Sequence, residues 1–589
     1  MSKKENLTKG KNMAAIKFKS TEGVERMYEE GFGGIDRTEH SGSCFLAENL
    51  DPHADGSLKT RTGYTAVAEH SGNMRANFNL AGKLYSVIGD SLVVTDVESG
   101  SSEVKAKLEN SKGEADIFCF GGEIYVHDGL SFYRYSEGSL MPIEGYIPLY
   151  GNGWLPKGMG AINEDINLLS DRIRISYSIY TSTNVFQLGV EAASVDAVEI
   201  NGGSGDLADL NARLDETNPS ILRTLTLTGE ATVTFWLTLS PKFSQTNRIK
   251  QATKGFVFGN NGGERLCLYN PGISSTLYSS RPINQRTQAN SGASDPNAMP
   301  LYVPISSALC IGNGASPITE IAQHYGRGML FTETDAWFID WDGAETDQSV
   351  LKPQSFLLNS AIGAEYIHSS ACIDNDPITY FCGKFWRWHS KSGVLDECSA
   401  SMISDAVAEL LPQDAEKISM LSLPQKQKVF IADTEDPEGR VLVYDLAGKQ
   451  WSIYSGIFAE KLFRFGNLPA FSRGGSIYVF SDDRTADSDT DETFPIDSRL
   501  ITHFLDFGCP EKRKRKAYLL IEYDLAGGGG MLTLENEKGE KVSYPIRGKT
   551  GGGREQFSAR IPMPGFKKLR ITLETNSPAI FFGAIISAK

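Results

Sequence analysis

The chain has 589 residues, 40% of them hydrophobic and 10% aromatic, and its 58 basic and 73 acidic side chains give a net charge of −15. That apolar content can offset chain entropy, which excludes wholesale disorder, and the acidic sum argues against wrapping nucleic acid or an anionic membrane. Glycine, at 59 residues, exceeds its usual share of about 7% and implies many turns.

The lysine-rich start MSKKENLTKGKNMAAIKF lacks the apolar stretch of about 7 to 15 residues that a secretory signal needs. No run of about 18 apolar residues occurs either, so a soluble protein without a membrane anchor, made without export, is expected. Met13 is a second candidate start, and residues 1–30 read as a partly flexible arm. The eight cysteines, at 44, 119, 267, 310, 372, 382, 398 and 509, form no C-x-x-C pair. Several lie in apolar runs and read as buried, reduced thiols.

AGKLYSVIGDSLVVTDVESG (81–100) recurs as GGEIYVHDGLSFYRYSEG (121–138), a period of 40. Each copy is a short apolar strand, a Gly/Asp turn and a second strand, the pattern of a hairpin. The same grammar returns around 255–272, 327–340, 377–388, 427–445 and 474–483. Hairpin repeats of about 40 to 50 residues predict an all-β chain built as a six- or seven-bladed β-propeller. A β-sandwich with regularly spaced meanders remains the alternative. The propeller is expected in two parts, residues 31–163 and 246–495, interrupted by a small inserted β-sandwich at 164–245, where strand alternation continues without the repeat. Strand-like segments between Gly runs predict a C-terminal β-sandwich at 496–589.

Charge divides at the same place. Residues 501–589 hold 15 basic and 9 acidic side chains, net +6, which leaves −21 for residues 1–500. The run Lys512, Arg513, Lys514, Arg515, Lys516 is either a docking site for an acidic neighbour or phosphate backbone, or a solvated loop that keeps a sheet edge soluble.

Signals for catalysis are scarce. The eight histidines show neither H-x-x-x-H nor H-x-H spacing, so no local zinc site is expected. Gly202 to Asp206 fails the nucleophile elbow at its last position, and Ser543 stands where a phosphate-cradling loop ending Gly548-Lys549-Thr550 needs glycine. The acidic stretch 481–492, with Asp487, Asp489 and Asp491, lacks the glycine and glutamate of a helix-loop-helix calcium site and reads as an acidic loop. Trp386 and Trp388, two apart on a strand, face one side and suit either blade packing or sugar stacking. No catalytic residue, cofactor or metal is therefore expected, and the chain reads as a non-enzyme.

FGGID (32–36) followed by NLDPHADGSLKTRTGY (49–64) resembles the opening of the tailed-bacteriophage β-propeller virion proteins, the tail nozzle, hub and packaged-DNA-stabilisation group. SPITEIAQHYGRGMLFTETDAWFI (316–339), VLVYDLAGKQWSIYS (441–455) and PIDSRLITHFLDFGCPEKRKRK (495–516) are similar to that pattern in order, and the insert ending VDAVEING (195–202) is similar to the sandwiches that interrupt such propellers. The resemblance implies a structural protein of the virion tail or neck, made in the host cytoplasm. It further implies a homo-oligomeric ring, expected as a hexamer, below the portal and adaptor. That ring retains genomic DNA and then conducts it, without sequence-specific binding. The competing reading is a glycan-binding or glycan-degrading propeller at the tail tip.

Overall fold

The structure, a computed structural model, describes residues 26–588 apart from 38–42, 54, 137, 144, 159, 260–263, 283–300, 341–352, 392–393, 491, 507–510, 512 and 516. The protein is all-β. Among the described residues Thr246–Lys250 is the one α-helix, and no helix is long and apolar enough to cross a membrane. The chain divides into two compact units, Met1–Arg61 with Pro495–Lys589, and Thr62–Phe494.

The larger unit contains seven successive antiparallel meanders of four strands. The first is Met74–Leu80, Lys83–Ile88, Ser91–Asp96 and Ser102–Lys107. Ile88 pairs with Ser91 across a two-residue turn whose Gly89 has φ 56, a conformation that costs glycine little. Its second and third strands are almost wholly buried, while the outermost, Ser102–Lys107, is mostly exposed. Middle strands are covered by neighbouring sheets on both faces, so they read as continuous apolar runs rather than as alternation.

Consecutive sheets pack through shared apolar clusters. Val87 and Leu92 of the first meet Ile117 and Tyr133 of the second, whose Phe120 and Tyr125 meet Leu266 and Leu268 of the third. Ile318 and Leu330 of the fourth pack on Cys267 and Leu277 of the third, and Trp388 of the fifth packs against Phe331 of the fourth. The Trp451 indole of the sixth donates to the Ile403 carbonyl, and Phe430 and Tyr454 of the sixth join Phe471 and Phe480 of the seventh. The series then returns to its start, since Phe463, Phe465 and Ile477 of the seventh share a cluster with Met74, Leu84 and Val93 of the first.

The seventh sheet is completed from the other end of the unit. Lys461–Phe465, Leu468–Arg473 and Ser476–Phe480 take Tyr64–Ala68 as their fourth strand. GGSIYVFSDD (474–483) therefore carries a third strand, whereas the matching runs at 327, 377 and 427 carry second strands. The Tyr64 ring meets Phe471, Tyr478 and Phe480 edge-on at 5.0, 5.6 and 5.8 Å.

Between the second and third meanders, a five-stranded sheet and a three-stranded sheet enclose one core that includes Ile175, Tyr177, Phe186, Leu222 and Phe235. This region begins earlier than the expected 164. Leu149–Trp154 pairs in parallel with Arg172–Ile179, and Trp154 fills the same core.

In the smaller unit Ile580–Ala588 is central to one sheet, pairing with Arg26–Gly31, Leu58–Thr60 and Tyr518–Asp524. The second sheet runs Cys44–Glu48, Ser498–Thr502, Leu569–Thr575, Gly529–Asn536, Lys541–Arg547. The expected division therefore changes. Residues 26–30 are strand rather than arm, and 31–61 fold with the C-terminal segment rather than with the repeats, because their backbone groups complete its sheets. The charge split survives the change: residues 1–61 hold ten basic and ten acidic side chains. The smaller unit thus carries +6 and the larger −21.

Two distant motifs of this unit form one hydrogen-bonded cluster. Asn49 Nδ2 donates to the Asp497 carbonyl at 2.8 Å and its Oδ1 accepts from Arg61 Nε at 2.8 Å. The Thr60 hydroxyl lies 3.1 Å from that of Ser498 and accepts from Ala579 N–H. Leu58 and Arg61 are buried beside them.

Candidate functional site

The first strands of the meanders lie side by side. Met74–Leu80 contacts Asp116–Phe120, which contacts Lys254–Phe258; Ile318–His324 contacts Ser370–Ile373, then Ile418–Leu423, then Lys461–Phe465, which returns to Met74–Leu80. Three of these strands begin with a charge, in DIFCF, KGFVF and KLFRF. Charged residues at equivalent places on adjacent strands must converge.

His368 Nε2 lies 2.9 Å from Glu114, Lys254 Nζ lies 3.7 Å from Glu114 and 3.9 Å from Asp116, and Asp116 accepts from Gly255 N–H at 2.8 Å. Glu320 accepts from the buried Tyr269 hydroxyl at 3.3 Å. Lys461 Nζ donates to the Arg75 carbonyl at 2.8 Å, and the Arg75 guanidinium in turn donates to the carbonyls of Gly89, Asn110, Lys112, Gly113 and Asp128. These groups lie deep in the unit, yet the Lys254 and Asp116 side chains keep 15% and 19% of their surface, because they line a cavity.

Burial is the largest single influence on their ionisation, and at two of them the neighbouring charges outweigh it. It raises Asp116 and Glu320 above the usual carboxylate range despite Lys254. Burial also opposes ionisation of Glu114, but the His368 hydrogen bond, the charge that His368 gains in acid, and the positive charges of Lys254 and Lys461 outweigh it and hold Glu114 at about 2. His368 is pushed down to about 4 by burial and by both lysines, so at neutral pH its uncharged ring donates to Glu114. Lys461 falls to about 8 through burial and repulsion from Lys254. Lys254 goes the other way: burial disfavours its charge, but Asp116, Glu114 and Glu320 raise it.

Two cavities meet at His368 and Lys461. One, of about 520 Å³, is lined by residues including Asn77, Asp116, Lys254, Ser422 and Arg464; the other, of about 680 Å³, by Asn73, Arg75, Lys112, Glu114, Glu416 and Glu460. Spaces of this size admit small molecules, not a duplex. Each carboxylate of the cluster already has a partner, so the arrangement ties the second, third, fourth and fifth meanders together electrostatically.

The structure treats the residues singled out from sequence differently. Lys514 is buried, its ammonium donating to the Lys567 carbonyl at 2.6 Å and its backbone paired with Phe566. Arg513 and Arg515 are exposed, while Lys512 and Lys516 lie outside the described residues. In the acidic stretch, Asp487 accepts from Tyr64 N–H, and Asp489 pairs with Arg473 at 2.8 Å and with the Tyr478 hydroxyl; Asp491 lies outside the described residues. Trp388 is fully buried with its indole N–H on Thr379, and Trp386 donates to the Phe381 carbonyl. Among the described residues no group of three or more His, Cys, Asp or Glu is placed to hold a metal ion. The charged cluster was not anticipated; its only sequence signal is a charge heading an aromatic strand.

No known family profile matches the chain, and no curated protein matches it. Among solved structures it is similar to the computationally designed Ika8 protein, at 12% identity over 71% of this chain and 99% of that one, with a TM-score of 0.30. The extracellular domain of a putative hybrid two-component system from B. thetaiotaomicron matches at 8% identity over 91% and 62%, with a TM-score of 0.37. An exo-β-1,3-galactanase from Phanerochaete chrysosporium with galactose matches at 11% identity over 80% and 95%, with a TM-score of 0.17. At these scores none bears on topology or activity.

Proposed function

We propose that this chain is a structural protein of a tailed-bacteriophage virion, a tail nozzle, hub or neck component. In this reading the larger unit is a seven-bladed β-propeller interrupted by a small β-sandwich, and the smaller unit is a β-sandwich made from both chain ends. Copies form a ring, expected as a hexamer, below the portal and adaptor. The observation that carries the reading is the Asn49, Thr60, Arg61, Asp497 and Ser498 cluster. The motifs that resemble this family, more than 400 positions apart, are one packed element, which is what a shared fold requires and a chance likeness of scattered strings does not.

Charge supports the same assignment. A conduit for DNA needs acidic or neutral walls, because each Lys or Arg contact with phosphate adds salt-dependent affinity, and the larger unit carries −21. The axial cavities are too small for a duplex, so the path for DNA is the space enclosed by the ring of copies. Net positive charge on the smaller unit suits docking to an acidic neighbour, where complementarity sets register.

Electron microscopy of the purified chain, alone and added to particles lacking it, tests the proposal. Rings that seat on tails or necks are expected, and the double variant Arg513→Glu, Arg515→Glu, which spares the buried Lys514, should reduce seating. A monodisperse monomer that binds sugars on a glycan array would refute it in favour of the host-surface reading.

A further inference from the structure

We propose that the 520 Å³ axial cavity is a binding site for a small multivalent oxyanion, a phosphate or a short polycarboxylate. The inference does not depend on a virion role. Three cations line this cavity, Lys254, Lys461 and Arg464, against one carboxylate, Asp116. The other ionisable groups around it are His368 and Glu114, which bond each other, Glu320, which accepts from Tyr269, and, on the far side of Lys461 in the 680 Å³ cavity, Arg75, Lys112, Glu416 and Glu460.

The local charge is unbalanced. Lys254 has both Glu114 and Asp116 within ion-pair distance. Among the described residues Lys461 has no carboxylate at that distance, and its ammonium donates only to the Arg75 carbonyl. Among the described residues two of its three protons thus have no acceptor, in a cavity it shares with a second ammonium. Two like charges in a partly desolvated space repel strongly, and an anion between them turns that repulsion into two charge-assisted hydrogen bonds. Arg464, exposed on the cavity wall, adds a planar fork suited to phosphate or carboxylate. Ser370 and Ser422 supply hydroxyl groups on the same wall. A cation finds the opposite: two ammonium groups and a carboxylate that burial drives toward its neutral form.

Isothermal titration calorimetry of the full chain at pH 7 tests this, with sodium phosphate and sodium citrate titrated separately against sodium chloride at matched ionic strength. Saturable binding of one anion per chain is expected for at least one of the two, and which one binds names the ligand chemistry. Lys461→Met should weaken it about tenfold or more, the usual worth of a charge-assisted bond. Arg464→Gln, on an exposed position that the fold does not need, should weaken it severalfold, which keeps the test valid if the Lys461 variant fails to fold. Affinity should also fall as pH rises past about 8, where Lys461 loses its proton. Absence of saturable heat from both anions, or binding that survives both substitutions, would overturn the site.

Discussion

Replacing Tyr64 by alanine tests whether the seven meanders are held as a closed series. Tyr64 opens the strand that completes the seventh sheet, is 6% exposed, and meets three aromatic rings edge-on. Truncating a buried aromatic costs about 3 to 5 kcal/mol, and an edge-to-face pair is worth about 0.5 to 1.5 kcal/mol within that sum. With three such pairs the expected loss is near the upper part of the range, about 4 to 5 kcal/mol. All seven tryptophans, from Trp154 to Trp451, belong to the larger unit, so their fluorescence in a urea titration reports that unit alone. The midpoint should drop by about 1 M, because the steep slope expected of so large a surface divides the loss. Tyr180→Ala, at a residue 67% exposed, is the control and should change stability by less than about 0.5 kcal/mol. If Tyr64→Ala matches that control, the N-terminal strand does not hold the series closed and the packing argument fails.

Further outcomes follow from single sites. A Cβ on Gly63 would lie 2.0 Å from the Ala486 carbonyl oxygen, so Gly63→Ala should abolish folding of the seventh sheet, while Gly122→Ala, at φ +79 in open space, should cost about 1 kcal/mol; circular dichroism melts separate the two. His368 has a folded-state value of about 4, below its ordinary 6.5, so the unfolded chain binds the extra proton first and stability falls as pH drops from 6.5 toward 4. Stability against pH in that window should flatten in His368→Gln, and an unchanged slope would remove His368 from the account. Glu114, held at about 2, should contribute a further loss between pH 4.5 and 2, absent in Glu114→Gln. Asn49→Ala removes a donor to Asp497 and an acceptor for Arg61, and should destabilise the smaller unit by about 2 to 4 kcal/mol, visible as faster proteolysis of residues 495–589 with tryptophan fluorescence unchanged.

Much of the fold was legible. AGKLYSVIGDSLVVTDVESG reads directly as two strands and a turn because the turn residues have a local job, as Gly89 shows with its positive φ. The order of the hairpins was equally plain, but not where the interrupting region begins, since Leu149–Trp154 joins it by pairing with Arg172–Ile179. Strand positions within a sheet were not: Ser476–Phe480 looks like a first strand and is a third, since middle strands of packed sheets share one continuous apolar signature. The basic run illustrates the limit for function. Arg513, Lys514 and Arg515 are alike in sequence, yet Lys514 is buried on the Lys567 carbonyl while its neighbours face water.

The sequence by itself determined an all-β chain, the repeat of hairpins and the opposed charges of its two parts, because these follow from side-chain periodicity, turn chemistry and composition. Only the tertiary structure decided that Tyr64–Ala68 completes the seventh sheet, that segments before Thr62 and after Phe494 build one unit, and that Glu114, Asp116, Lys254, His368 and Lys461 gather around two adjoining cavities. Those facts join residues up to several hundred positions apart. They depend on which sheet edges and faces meet, and local sequence carries no record of its distant partner.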